Sequence, residues 1–106
     1  MQTKPRVIKD FEKLDQDVQE QIKLAYPFGF TKHLIRFTNR EGKIISALPF
    51  EVEDKYYLAR MTPQEAKDII LHDDDYDEEG NLKDEIMEGY QEKYTDTDEG
   101  EDDDDF

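Results

Sequence analysis

The chain has 106 residues, 41% of them charged and 35% hydrophobic, with a formal net charge of −15, which leaves room for one domain rather than two. It contains no cysteine, which excludes disulfides, thiolate metal sites and thiol nucleophiles. No stretch has the length and apolarity of a signal peptide or a membrane span, so a cytoplasmic protein without a membrane role is expected.

The charge is unevenly spread. Residues 1–70 hold 12 Lys/Arg and 11 Asp/Glu, whereas residues 71–106 hold 2 Lys and 18 Asp/Glu. The first part has the composition of an ordinary domain surface around a core. The second has too little apolar area to offset the entropy of ordering it. The expected organisation is a folded head over 1–72, an acidic segment over 73–94 and a disordered acidic tail over 95–106.

In chain order, Phe11, Leu14, Val18, Ile22 and Ala25 recur at three- and four-residue spacing, which predicts a helix over about 15–26. Asp15 stands at its N-cap, and Pro27 with Gly29 ends it. In "KHLIRFTNREGKIISALPF" two β-rich runs flank Asn39-Arg40-Glu41-Gly42. That tetrapeptide suits a type I turn closed by a left-handed glycine bulge, so a hairpin is expected, with His33 in its first strand. Pro49 marks an edge or a bend, and "KYYLARM" supplies a third strand. Thr62-Pro63-Gln64-Glu65 then reads as a capping box opening a helix that presents Ala66, Ile69 and Ile70 to the sheet. The predicted fold class is α+β, a small three-stranded antiparallel meander flanked by helices in the order α-β-β-β-α.

Beyond His72 the acids dominate. Leu82, Ile86, Met87 and Tyr90 are spaced for a third helix over 82–94, weakened by Gly89, and "TDTDEGEDDDDF" is a low-complexity tail. The stretch "DDDYDEEGNLKDE" also resembles the front of a calcium loop. Asp75, Asp77 and Glu79 fall at the first three ligand positions, followed by Gly80 and Leu82. The twelfth position, which needs a bidentate glutamate, is Ile86, so the reading taken is a solvated acidic linker, with 75–88 kept as a weak calcium alternative and no metal expected.

Chemistry-bearing motifs are absent. His33 and His72 stand apart, Ser46 is the one serine and lacks a nucleophile elbow, and the five glycines are too scattered for a phosphate loop. Paired carboxylates in a solvated tail lack the dry, shaped pocket that acid–base catalysis needs. Neither an enzyme nor a cofactor is expected. Residues 32–43 carry Lys32, Arg36, Arg40 and Lys43 against Glu41 alone. A basic ribbon of this kind suits nucleic-acid binding, but four basic residues are few for phosphates, and the reading taken is a charged face that protects a sheet edge.

The layout of a folded head followed by "DDDYDEEG…DTDEGEDDDDF" resembles the delta subunit of bacterial RNA polymerase, over the acidic third of the chain and in composition. The resemblance implies a tail that competes with nucleic acid for basic surface on a transcription partner. It does not extend to the head, which in that family is helical. The head, with "KDFEKL", is similar to small uncharacterised bacterial proteins bearing acidic tails, which implies no activity.

The expected function is therefore a regulatory protein whose head docks on a larger partner while its tail occupies basic surface. The expected docking residues are Arg36, Phe37, Arg40, Lys43, Tyr56 and Tyr57. The expected electrostatic tail is Asp102, Asp103, Asp104, Asp105 and the apolar end Phe106. The alternatives are a nucleic-acid binder working through hairpin 32–43 and inhibited by the tail, the calcium module, and a tail that only confers solubility.

Overall fold

The structure, a computed structural model, describes the backbone of residues 4–103 and the side chains of residues 4–94. The tail expected to be disordered, with Asp102 to Phe106, lies outside the described side chains. The elements are β1 (Arg6–Asp10), α1 (Gln16–Ala25), β2 (Ile35–Thr38), β3 (Ile44–Glu51), β4 (Tyr56–Arg60), α2 (Pro63–Leu71) and α3 (Asp84–Asp103).

The class is α+β, but the sheet is not a three-stranded antiparallel meander. It is a four-stranded mixed sheet in the order β1-β4-β3-β2. The hairpin β2–β3 and the next pair, β3–β4, are antiparallel as expected. The added strand β1 lies parallel to β4, with Val7 opposite Tyr57 and Asp10 opposite Arg60. "RVIKD" lacks the alternation that marks a half-buried strand, and its partner is fifty positions away, so nothing local announces it. The helix expected over about 15–26 is present as α1, and the apolar spacing ahead of it, from Phe11, belongs to a separate turn. Phe11–Lys13 form a single 3₁₀ turn, and α1 starts only at Gln16. Asp15 occupies the N-cap without a side-chain cap bond. Instead Gln19 Nε2 reaches back to the Phe11 and Leu14 carbonyls at 3.2 and 2.9 Å, which joins the turn to the helix.

The turn chemistry follows the sequence. Asn39 Oδ1 accepts from the backbone N–H groups of Glu41 and Lys43, both at 2.9 Å, and Gly42 has φ +85°, the left-handed position that glycine tolerates. At α2, Thr62 Oγ1 accepts from Glu65 N at 3.0 Å while Glu65 Oε1 accepts from Thr62 N at 2.9 Å, a complete capping box.

Pro49 sits inside β3, where β2 has already ended: β2 pairs only as far as Ala47. Its carbonyl accepts from Tyr26 OH at 2.5 Å. In an antiparallel strand a residue's N–H and C=O point the same way, so the missing proline N–H faces the side that β2 leaves open.

The core lies between one face of the sheet and the helices. Leu48, Tyr57 and Ala59 from the strands meet Ile22 of α1, Ala66 and Ile70 of α2, and Phe11, Leu14, Phe30 and Met61 from the connections. The core does not stop at His72. Tyr76 and Leu82 are 5% and 3% exposed, and Ile86 and Met87 of α3 pack against the same cluster. Alternate strand residues of that face point inward, as a pleated strand requires. His33 falls in a 3₁₀ turn, Thr31–His33, rather than in a strand, with its ring 4.8 Å from that of Tyr26.

Candidate functional site

The second face of the sheet is also apolar. The register places Ile8 beside Leu58 and Leu58 beside Pro49, and in the hairpin Ile35 beside Ala47 and Phe37 beside Ile45. None of these side chains belongs to the core between sheet and helices. Leu58 and Ala47 are buried, whereas Ile8 and Ile35 are 43% and 39% exposed. Ile8, Ile35 and Leu58 floor and wall a groove of about 470 Å³ that also takes in Phe37, Tyr56, Arg6 and Arg40. Its lining contains no carboxylate and no helical residue. On the same face Arg60 Nε pairs with Asp10 Oδ1 at 3.0 Å, so that arginine is locally neutralised.

Charge follows this layering. The strands and their connections, residues 4–10 and 32–60, hold nine Lys/Arg and five Asp/Glu. The helical side, residues 11–31 and 61–94, holds five and sixteen. The strand part of the chain is therefore weakly basic and the helical part strongly acidic.

The helical face is ordered by a polar network. Lys23 of α1 is 9% exposed and bridges Asp73 Oδ2 at 2.6 Å and Asp75 Oδ2 at 2.9 Å. Burial opposes its charge, but the hydrogen bonds and attraction of the two carboxylates outweigh burial and raise its pKa. Glu20, one turn earlier, is 7% exposed and accepts from Gln16, Lys93 and Tyr94. Burial raises its pKa, and the three donors more than reverse that, so the carboxyl titrates below its ordinary range. Tyr90 OH donates to Asp75 Oδ2 at 2.6 Å. Asp75 is thus held below its usual value by Tyr90 and Lys23 against the opposing effect of burial. This network joins α3 to α1 beside the apolar packing of Ile86 and Met87 against the core.

The loop between α2 and α3 is fixed rather than a loose linker. Tyr76 OH donates to the Tyr26 carbonyl at 3.1 Å, Leu82 N to the Pro27 carbonyl at 2.7 Å, and Asp77 Oδ1 caps the turn at Glu79 and Asn81. The calcium reading finds its first two carboxylates engaged elsewhere: Asp75 in the Lys23 and Tyr90 bonds, Asp77 in its own turn. The Glu79 carboxylate is exposed and makes none of these bonds, and Ile86 packs against the core. Among the described residues no group of three or more His, Asp and Glu is placed to hold a metal ion.

Of the expected docking residues, Phe37, Arg40 and Tyr56 line the sheet-face groove. Arg36 is exposed but pairs with Ser46 on the other side of the pleat, and Lys43 is exposed in the turn. Tyr57 is 9% exposed and stacks with Phe50 at 6.3 Å in the core, facing the helices. Ile8, Ile35 and Leu58 were not singled out from the sequence. The signal for the hairpin pair was there, since Ile35 and Phe37 alternate with Arg36 and Thr38, but β1 and its register were not legible. Lys32, counted with the basic hairpin, falls in the preceding 3₁₀ turn. No described helix is long and apolar enough to cross a membrane. No protein-family model, curated protein or solved structure matches the chain.

Proposed function

We propose that this is a non-enzymatic binding protein whose uncovered sheet face docks on a larger protein, with its acidic helical face and tail keeping competing polyanions, nucleic acid above all, off that partner's basic surface. The observation that carries the reading is the apolar groove across β1, β4 and β2, with no carboxylate in its lining and Arg6 and Arg40 at its rim. An exposed apolar surface of this kind on so charged a chain marks an interaction site. Its basic rim selects an acidic and apolar segment of the partner. The acidic helical face acts at longer range and loses its effect as salt rises.

A second reading is favoured by the same groove: Phe37 and Tyr56 beside two arginines suit the stacking of a single-stranded nucleic acid. One experiment separates the two. The full chain and an Ile8→Asp/Ile35→Asp variant are compared for what they retain from native lysate, after thermal unfolding has shown that the variant folds. The docking reading expects one stoichiometric protein, lost with the variant and held more weakly by Arg6→Ala/Arg40→Ala. Retention that is unchanged in the variants would defeat it. Retention of nucleic acid alone would establish the second reading instead.

A further inference from the structure

A cleft of about 640 Å³ opens on the helical side between α2, the turn at Phe28–His33 and the pinned loop Asp73–Lys83. Its two lips are Phe28 and Leu71, 77% and 72% exposed, with Ile70 lining the space between them. Neither lip is explained by the core, the α1–α3 network or the sheet-face groove. The walls carry Asp73, Asp74, Asp77, Glu78 and Glu79 against Lys32, Lys67 and Lys83, so the site is anionic overall and repels phosphates. It calls for an apolar side chain next to a cation.

The chain carries that combination elsewhere on its own surface. Ile44, at the start of β3, is 70% exposed, and exposed Arg40 and Lys43 precede it in the hairpin turn with Glu41 between them, a net charge of +1. Ile44 is not part of the sheet-face groove. Hairpin and cleft also lie on the oppositely charged parts of the molecule.

We infer that the cleft is a docking site for a second copy of this chain, taking the hairpin tip Arg40–Ile44 of its neighbour. Ile44 enters between Phe28 and Leu71, and Lys43 meets the carboxylates of Asp74, Glu78 and Glu79. The two surfaces differ, so the contact is heterologous, and each copy bound leaves one cleft and one hairpin tip free for the next. The net charge of −15 opposes association until salt screens it, which makes the interaction weak and concentration-dependent. The inference goes beyond the docking role of the sheet face and does not rest on it.

The test uses the full chain in sedimentation velocity from micromolar to millimolar concentration at physiological salt. Two variants separate the halves: Lys43→Glu/Ile44→Ser removes the tip, and Phe28→Ala/Leu71→Ser removes the cleft. All four positions are exposed, and an unchanged unfolding midpoint verifies that each variant folds. The wild type is expected to grow past the dimer as concentration rises. Each variant alone should associate at least about tenfold more weakly. An equimolar mixture of the two should form a heterodimer at near wild-type strength and stop there. A wild type that stays monomeric at millimolar concentration overturns the inference, as does a closed dimer that does not grow. Variants that associate as the wild type does overturn it too, because some other surface would then be responsible.

Discussion

Tyr90 and Asp75 share a 2.6 Å hydrogen bond that ties α3 to the loop before it, and the same Asp75 oxygen accepts from Lys23 on α1. Three segments of chain therefore converge on one carboxylate. This convergence offsets the repulsion between an acidic helix and an acidic surface, alongside the core packing of Ile86 and Met87 and the donors of Lys93 and Tyr94 to Glu20.

Removing the phenol isolates that dependence. Tyr90→Phe keeps the ring and loses the donor, and should cost about 1.5–3 kcal/mol, the usual worth of a hydrogen bond to a charged group. Tyr94→Phe, which removes a donor to Glu20, should cost a similar amount. The loss should be local: amide exchange over 84–94 accelerates, while β3 and β4 keep their protection.

Lys23 is the keystone cation of the network. Lys23→Ala leaves Asp73 and Asp75 facing each other without a counter-charge and should lower stability by about 3 kcal/mol. In an Asp75→Asn background the same change should cost clearly less, because one of the two stranded charges is gone. Urea unfolding of the four proteins gives the coupling energy directly.

The network also fixes the shape of the stability–pH curve. Asp75 and Glu20 have folded pKa values below their ordinary 3.8 and 4.5, so their contribution is complete above those values and is lost as the pH falls through the lowered ones. Lys23 and Tyr90 have folded values above their ordinary 10.5 and 10.0. For Tyr90, burial comes first and the bond to Asp75 adds to it. Their contribution is complete at neutral pH and is lost as the pH rises through the raised values. The melting temperature should hold a plateau from about pH 6 to about pH 9 and fall on both sides. Tyr90→Phe should lower the plateau and shift the alkaline fall.

At the hairpin, a methyl added to Gly42 would meet nothing within 4 Å, yet the residue has φ +85°. Gly42→Ala should therefore cost about 1 kcal/mol from backbone conformation alone, with no steric part. Gly42→Asn, which tolerates the left-handed region better, should recover most of the loss in a thermal melt.

These positions also mark how far the sequence could be read. The Asn39–Gly42 turn, the Thr62–Glu65 capping box and helix α1 are local events, written within four or five residues, and their elements appear where the residues place them. β1 is different in kind. Val7 and Ile8 are adjacent apolar residues serving opposite faces of the sheet, so no alternation betrays them, and the partner strand is far away in sequence. Missing β1 hid one wall of the groove, since Ile8 belongs to it. The aromatic ring of Tyr57 suits an interface anchor, but only the register with Phe50 and Val7 reveals that it faces inward. The acidic loop failed to declare itself for another reason. Its anchors, Tyr76 and Leu82, are two apolar residues in a run of carboxylates, and composition conceals them.

Pro49 has a consequence for what the sheet can recruit. A strand arriving beside β3 beyond Ala47 would look for a donor and an acceptor at that position. It would find an imide nitrogen with no hydrogen and a carbonyl already engaged by Tyr26. The ladder therefore cannot be lengthened there by a foreign peptide or a misfolded neighbour, whatever its sequence. Among the described residues one apolar face of the sheet thus lies partly exposed, while that stretch of backbone is denied to any templated, fibre-like growth.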